Sequence, residues 1–165
     1  MTDIQQEFLD VLESNKDKLF RICSVFTQGS SDSEDLFQEV VIQIWRSLSS
    51  FKGDSKLYTW MYRIALNVSI RYQSKASKKQ KKLISLNGIT LKSSFEPDES
   101  FEENTNLIKL RSCIDLLKDG DKSIITLYLE EIPYKEIGKI LGITENHVAV
   151  KIKRIKKKLF NCISQ

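Results

Sequence analysis

Apolar residues recur at three- and four-residue intervals in two long stretches of the N-terminal half. The stretch 33–48 carries such a stripe at Phe37, Val40, Val41, Ile44 and Leu48. The stretch 57–73 carries another at Leu57, Met61, Ile64, Ala65, Val68 and Tyr72. An α-helix places residues at this spacing on one face. Six glycines and two prolines in 165 residues are few for a turn-rich β fold, so the sequence predicts an all-α protein.

The helical spacing is interrupted once, so the chain divides into three blocks. Residues 1–74 and 105–165 follow it, whereas residues 75–104 lose it. Within the middle block, KASKKQKK (75–82) carries five lysines and EPDESFEE (96–103) carries five acidic residues. Charge-rich segments of this kind bury too little apolar surface to fold alone. We therefore predict two small helical domains joined by a flexible charged linker, whose few apolar residues either stay solvated or dock on a partner.

Local signals predict where the helices begin and end. Asp32 precedes the first stripe and is predicted to cap its helix, since a short acidic side chain accepts hydrogen bonds from the first turn. FKGDS (51–55) is predicted to be a turn. In the last block, apolar spacing predicts helices near 106–118 and 121–131.

The segment from residue 133 onward has the pattern of a helix-turn-helix. Pro133 suits the first turn of a helix, Gly142 suits a left-handed stop, and Thr144 suits the N-cap of a second helix. That second helix carries one apolar stripe, at Val148, Ile152, Ile155, Leu159 and Ile163. In this motif the second helix enters the major groove of DNA.

The face opposite that stripe is polar and basic. It carries Asn146, Val150, Lys153, Arg154 and Lys157, with His147 at its edge. Cations along one face neutralise phosphates, while Asn146 can pair with adenine and Val150 can contact a thymine methyl group. We therefore predict DNA binding through this face, with His147 as a surface or phosphate contact rather than a metal ligand. The alternative is a solvated amphipathic helix with ordinary surface lysines.

Cysteine usage gives no sign of a metal site or a disulfide framework. Cys23, Cys113 and Cys162 are widely spaced, form no CxxC motif and accompany a single histidine. Buried free thiols in a reducing cytoplasm fit them better. The start, MTDIQQEFLD, lacks the pattern of a signal peptide, and no apolar stretch approaches the ~18–20 residues that span a bilayer. We expect a cytoplasmic protein with no cofactor, no metal and no membrane insertion.

Two segments, in order, resemble one known family. Region 2 of the extracytoplasmic-function (ECF) sigma factors, in the sigma-70 family, is similar to DSEDLFQEVVIQIWRSLSSFKGDSKLYTWMYRIALNVSIRY (32–72). Their region 4 is similar to PYKEIGKILGITENHVAVKIKRIKKKL (133–159). The resemblance implies a bacterial factor that directs RNA polymerase to promoters, with region 2 in 1–74 and region 4 in 105–165. It implies core RNA polymerase and promoter DNA as partners, and an anti-sigma factor that no residue of the chain identifies.

By this resemblance, the 33–48 helix binds the clamp helices of the largest polymerase subunit. The corresponding positions are Asp35, Gln38, Glu39, Val41 and Trp45. Trp45 and Ile42 add more apolar surface than one stripe can bury, and aromatic residues are enriched at interface centres. The alternative is that Trp45 packs against a neighbouring helix.

The 57–73 helix resembles the segment that melts promoter DNA and reads the −10 element. Away from its apolar stripe it carries Trp60, Arg63, Asn67 and Arg71. Unpaired DNA requires such a mixture: an aromatic ring to stack on a base, cations for the backbone and an amide for base edges. In the family the preceding loop captures a flipped base, which here corresponds to 51–58. The competing interpretation places Trp60 in the core.

The sequence departs from the family at Ala149 and Val150, where members often carry a basic residue and a serine. Base-specific contacts to the −35 element therefore do not transfer in detail, and contacts of Lys153, Arg154 and Lys157 with the DNA backbone are the safer expectation.

Two other functions compete with this interpretation. A helix-turn-helix regulator that does not bind polymerase would present a dimer to symmetric half-sites, and no dimerisation or ligand domain is evident. An enzyme acting on phosphodiesters would need clustered carboxylates for metal ions. Asp32, Glu34 and Asp35 do cluster, but at a helix start, where capping explains them. We therefore predict that the chain is not an enzyme.

Overall fold

The computed structural model describes residues 2–87 and 102–165, with side chains for 2–76 and 105–165. These residues form helices and no strand, which confirms the predicted all-α fold. In chain order the elements are α1 (Asp3–Val25), α2 (Ser30–Ser47), a 3-10 turn (Leu48–Ser50), α3 (Leu57–Asn87), α4 (Glu102–Asp115), α5 (Asp119–Leu129), α6 (Tyr134–Leu141) and α7 (Glu145–Ile163). None of the described helices combines the length and the apolarity needed to cross a bilayer.

Helices α1 to α3 form an N-terminal unit around one apolar core. Each helix buries one apolar stripe. The three stripes include Phe8, Leu19 and Ile22 of α1, Leu36, Val40 and Ile44 of α2, and Met61, Ala65 and Leu66 of α3. A polar bond adds to this packing, because the Tyr62 hydroxyl donates a 2.9 Å hydrogen bond to Asn15 Oδ1. The stripes predicted for α2 and α3 lie in this core, with Phe37, Val41, Ile64 and Tyr72 half-buried at its edge.

Helices α4 to α7 form a C-terminal unit with α5 at its centre. Every residue of α5 from Asp121 to Leu127 is buried. Helices α6 and α7 pack against α5 and against each other with a set of buried aliphatic side chains, Ile137, Ile140, Val148, Ile152 and Ile155. The apolar stripe predicted for α7 therefore faces the core, and its polar side faces solvent.

The predicted cap of α2 is wrong. Gly29 occupies the N-cap position, and Asp32 lies inside the first turn, where the positive end of the helix dipole favours an acid. The turn before α2 is instead fixed by hydroxyl groups. Ser33 Oγ donates a 2.9 Å hydrogen bond to Gly29 O and lies 2.6 Å from Thr27 Oγ1. This bonding lets the helix begin at Ser30, before the predicted start.

Helix α3 is longer than predicted, because it continues past residue 74 to Asn87. Loss of the apolar spacing does not end a helix when good helix formers follow, and lysine, glutamine, alanine and leucine dominate 75–86. Helix α4 begins at Glu102, also inside the predicted linker. The remaining part of that predicted linker, 88–101, lies outside the described residues.

The two units contact each other through arginine side chains. Arg21 of α1 forms an ion pair with Glu130, with 2.8 Å between Nη2 and Oε2. Arg111 of α4 donates hydrogen bonds to the carbonyl oxygens of Ser24 and Thr27, just at and after the end of α1. The predicted domains are therefore packed against each other in this arrangement, which the sequence did not predict.

Helix α6, its turn and α7 form the predicted helix-turn-helix. Gly142 ends α6 with a φ of 73°, a left-handed conformation that favours glycine. Thr144 caps α7, since its side-chain oxygen accepts a 3.1 Å hydrogen bond from the backbone N–H of His147. Both predicted caps are confirmed, while Pro133 occupies the N-cap position of α6 rather than its first turn.

The turn approaches α6 so closely that Gly138 has no room for a side chain. The backbone N–H of Ile143 donates a 3.0 Å hydrogen bond to Gly138 O, and a Cβ at residue 138 would lie 2.6 Å from Ile143 O. We expect Gly138→Ala to lower the free energy of unfolding by about 1–3 kcal/mol, because the added methyl group forces backbone apart. Chemical denaturation of the purified protein measures this loss.

Gly120→Ala is the matched control for that substitution. It also lies in a helix, and nothing stands within 4 Å of its added Cβ. Alanine there should leave the free energy of unfolding unchanged or raise it by up to about 1 kcal/mol. Equal losses in the two variants would show that the close approach at Gly138 is not what matters.

The cysteine prediction is wrong for two of the three residues. Cys113 of α4 and Cys162 of α7 form a disulfide, with their Cα atoms 6.0 Å apart and a separation of 49 positions in sequence. Only the packing of α4 on α7 brings them together, so their spacing along the chain gave no signal. Cys23 is a buried free thiol, as predicted.

Candidate functional site

Helix α2 exposes one face that the N-terminal unit leaves uncovered. We call Asp35, Gln38, Glu39, Ile42 and Trp45 the α2 outer face, since all five are exposed. Ile42 and Trp45 expose 49% and 45% of their surfaces, although both are large and apolar. An exposed tryptophan beside an exposed isoleucine is typical of a protein interface rather than of a solvated helix, because aromatic residues are enriched in interfaces.

Four of the five residues predicted to bind polymerase lie on the α2 outer face, and Val41 is half-buried beside it. Trp45 also packs on α1, because its ring centroid lies 5.3 Å from that of Phe8. Trp45 therefore packs on a neighbouring helix and still exposes 45% of its surface, and its binding to polymerase stays a prediction. Ile42, which the sequence indicated as surplus apolar surface together with Trp45, lies on this face beside Gln38 and Trp45.

Helix α3 presents a second surface, the α3 polar face, formed by Trp60, Arg63, Asn67 and Arg71. Asn67 and Arg71 are exposed, and Arg71 Nε donates a 3.4 Å hydrogen bond to Asn67 O. Trp60 is half-buried, with its ring centroid 5.2 Å from that of Phe51 in the preceding loop. Trp60 is thus neither a core residue nor a free side chain, and the loop holds its ring at the edge of the core.

Arg63 is engaged by the C-terminal unit. Its Nε donates a 3.0 Å hydrogen bond to Ile140 O, and its Nη2 donates a 2.7 Å bond to Lys139 O. Carbonyl groups at the C-terminal end of a helix carry its negative partial charge, so a guanidinium is attracted there. Helix α6 therefore covers part of the α3 polar face, and it occupies two of the five N–H donors of Arg63.

The α2 outer face and the α3 polar face meet at a shared cleft. Glu39 and Arg71 line it, together with Gln43 and Lys75. A ligand bound along α3 would therefore lie close to a partner bound to α2.

The loop 51–56 leads directly into α3. Tyr58, at the start of the helix, lies near Lys56, with 5.7 Å between Nζ and the ring centroid. Burial, with further contributions from Glu136, raises the pKa of Tyr58 to about 12. Its hydroxyl therefore remains protonated at neutral pH.

Helix α7 exposes all six residues predicted to contact −35 DNA. We call these the α7 exposed face: Asn146, His147, Val150, Lys153, Arg154 and Lys157. The stripe on the other side, from Val148 to Leu159, is buried. Ala149, one of the two departures from the family, is half-buried and lies off this face.

The six basic side chains of α7 differ in what they contact. Lys151 and Lys158 lie 3.6 Å and 3.0 Å from the carboxylate of Asp121, and Lys156 Nζ lies 4.4 Å from the centroid of the Tyr128 ring. The other three form no ion pair with any residue in the described part of the chain: Lys153, Arg154 and Lys157. These three are the cations on the α7 exposed face, so this face can bind an external anion without breaking internal pairs.

Asp121 is ionised to hold its two lysines. Burial raises the pKa of its carboxyl group, but hydrogen bonds and charges from Lys158 and Lys151 outweigh that effect and hold the pKa below its usual value. The pairing keeps these two cations at the side of α7.

No group of three or more histidine, cysteine, aspartate or glutamate side chains that could hold a metal ion occurs among the described residues. His147 is exposed in the first turn of α7.

Comparison with known proteins relates both units to one kind of factor. The model of the sigma-70 region 2 family matches residues 11–79, and that of the sigma-70 region 4 family matches 107–159. The ECF RNA polymerase sigma factor SigW of Bacillus subtilis is 29% identical, over 94% of this chain and 88% of its own. The ECF RNA polymerase sigma-E factor of Escherichia coli is 30% identical, over 80% of this chain and 74% of its own.

The fold has a counterpart among solved structures. The sigma factor RpoE of Bartonella quintana, solved in complex with the anti-sigma factor NepR, superposes with a TM-score of 0.66 at 20% identity. The alignment covers 99% of this chain and 98% of that one.

Proposed function

Since the chain belongs to the extracytoplasmic-function sigma factors of the sigma-70 family, which direct RNA polymerase to promoters when transcription starts, we propose a role for each of its three exposed helix faces. The α2 outer face binds the clamp helices of the largest subunit of core polymerase. The α3 polar face binds the unpaired −10 element, and the α7 exposed face binds the paired −35 element. One observation carries these assignments: each face lies away from the buried stripe of its own helix, and all of its polar and charged residues are exposed.

The chemistry of the α7 exposed face supports duplex DNA as its ligand. Its three unpaired cations can displace counterions from phosphates, which supplies most of the affinity. Asn146 lies in the first turn of α7, where a recognition helix contacts base edges, and Val150 is placed to contact a thymine methyl group.

The α3 polar face has the groups that unpaired DNA requires. Trp60 at the edge of the core can stack on a base that leaves the duplex, and Asn67 and Arg71 are exposed for base edges and phosphates. Two N–H groups of Arg63 are bonded to carbonyl oxygens of α6, so its whole guanidinium joins them when the C-terminal unit moves away from α3. We therefore propose that promoter binding separates the two units that pack together in the unbound chain.

The division of labour follows from the two units. Residues 1–74 act as region 2 and residues 105–165 act as region 4, while the segment between them lets both hold one promoter at once. Binding by one unit raises the effective concentration of the other. The chain is a regulator without enzymatic activity of its own, and polymerase supplies all catalysis. Because polymerase works in the cytoplasm, the chain works there too.

An anti-sigma factor is the further partner that we propose. The Bartonella quintana relative is held by NepR, and its fold matches this chain along nearly its whole length.

Transcription in vitro tests the proposed function. Core polymerase alone should not start at a library of promoters, whereas polymerase supplemented with the purified chain should start at a subset that shares −35 and −10 sequences. A chain that leaves initiation by core polymerase unchanged on every template would contradict the proposal.

Arg154→Ala tests the α7 exposed face. Losing one guanidinium at a phosphate should weaken −35 duplex binding roughly tenfold. It should also reduce the salt slope, which is the slope of log K against log salt concentration, by about 1. Lys156→Ala removes the same charge from a side chain that lies against Tyr128, and should change both quantities little. Affinity titrations between low and physiological salt measure both variants. A salt slope for Arg154→Ala equal to that of Lys156→Ala would show that Arg154 does not belong to the interface.

A further inference from the structure

The disulfide between Cys113 and Cys162 joins the first and last helices of the C-terminal unit, α4 and α7. Cys113 is buried near the end of α4, and Cys162 is half-buried in the last turn of α7. Cys162 follows the buried stripe of α7, so the bond closes the same side of the helix that packs on the core. Of the other apolar residues in the last turn of α7, Ile163 is half-buried against the core, whereas Phe160 exposes 71% of its surface.

The partner helix α4 connects this bond to the rest of the molecule. Arg111, two residues before Cys113, donates hydrogen bonds to the carbonyl oxygens of Ser24 and Thr27 in the N-terminal unit. The disulfide therefore ties α7 to the helix that also contacts the other unit. Lys153, Arg154 and Lys157 lie within the turns of α7 that precede the bonded residue.

A permanent bond is not what this setting favours. A sigma factor works with RNA polymerase in a compartment where thiols are kept reduced, and disulfides found there are usually transient and sense redox changes. We propose that Cys113 and Cys162 form a reversible thiol–disulfide switch that sets how firmly α7, and with it the α7 exposed face, is held in place. The effect on DNA rests on the proposed function, whereas formation of the bond does not.

The oxidant of this switch is a low-molecular-weight disulfide. The thiolate of the half-buried Cys162 attacks one sulfur of the small disulfide, which releases one small thiol and leaves a mixed disulfide on Cys162. The thiolate of Cys113 then attacks Cys162 Sγ and expels the second small thiol. In sum, two protein thiols and one small disulfide become one protein disulfide and two small thiols, which take up the two protons. An excess of small thiol reverses both steps.

Cys23 takes no part and serves as an internal control. It is fully buried between the helices of the N-terminal unit and has no sulfur partner. Burial raises the pKa of its thiol to about 11, so almost none of it is thiolate at neutral pH.

The test uses the full chain equilibrated with mixtures of reduced and oxidised glutathione. After denaturation, a maleimide reagent should label three thiols in reducing mixtures and one, Cys23, in oxidising mixtures. The midpoint of thermal unfolding should be roughly 5–15 °C higher in the oxidised form. The −35 duplex should bind several-fold more tightly to the oxidised form, because α7 is then held in its binding position.

Two variants and four outcomes test the proposed switch. Cys23→Ser should retain the redox shift in the unfolding midpoint, and Cys162→Ser should abolish it. Three labelled thiols in every mixture, or a glutathione adduct without the internal bond, would overturn the switch. So would equal duplex affinity in the two redox forms. A duplex that neither form binds would instead refute the −35 assignment while the thiol count and the unfolding shift stand, so the two failures are distinguishable.

Discussion

Glu39→Lys is expected to weaken assembly with core RNA polymerase by at least about 30-fold. Glu39 lies in the middle of the α2 outer face, exposed beside Asp35 and Ile42. Removing a charge that is paired across an interface costs about 2–5 kcal/mol, and a reversed charge adds repulsion. Core polymerase immobilised on a sensor surface, with the variant in solution, gives the dissociation constant directly.

Asp17→Lys is the control for this variant. It makes the same change of charge at an exposed position of α1 and should leave the dissociation constant within about twofold, since scattered surface charges contribute little. Both variants should unfold at the same temperature as the parent within a few degrees. If the two substitutions weaken assembly equally, polymerase senses the overall charge of the chain and not the α2 outer face.

Trp60→Ala is expected to slow promoter opening by about 5- to 150-fold, because stacking of one base on an aromatic ring contributes about 1–3 kcal/mol. Initial binding of duplex promoter should change little, since we propose α7 for the −35 contacts. Permanganate reactivity of −10 thymines, followed over time with the polymerase complex, measures opening, and a gel shift measures initial binding.

Two further substitutions separate stacking from packing at Trp60. The ring also contacts Phe51, so alanine removes packing as well as a stacking surface. Trp60→Phe keeps a ring and should open the promoter far better than Trp60→Leu, which keeps only apolar volume. If phenylalanine and leucine give the same rate, Trp60 supports the loop and does not stack on DNA.

The faces of the helices could be predicted because burial follows helical periodicity. Val40 and Ile44 on α2 are buried and Trp45 is half exposed, and on α7 the stripe from Val148 to Leu159 is buried. The same reasoning placed Gly142 and Thr144, since a left-handed stop and a hydroxyl N-cap are local requirements of the backbone.

Other features could not be predicted, because they depend on groups far apart in sequence. Nothing near Arg63 indicates that its guanidinium bonds Lys139 and Ile140, and nothing near Cys113 indicates that Cys162 will lie beside it. Only the packing of α6 on α3, and of α4 on α7, creates these contacts.

Local errors had a different origin. The predicted end of α3 is too early, because a run of lysine and glutamine keeps a high helix propensity after the apolar spacing is lost. Residue type alone predicts Asp32 as a cap, whereas the hydroxyl groups of Thr27 and Ser33 fix that turn.

The most direct measurement asks whether opening of a promoter requires both the chain and core polymerase. A promoter fragment is probed with permanganate in the presence of the chain alone, core polymerase alone, and both together. Reactive thymines in the −10 element are expected only with both, since one polypeptide must hold polymerase, paired DNA and unpaired DNA simultaneously. A promoter footprint formed by the chain alone, with no thymine reactivity added by polymerase, would mean that it is an ordinary duplex-binding regulator.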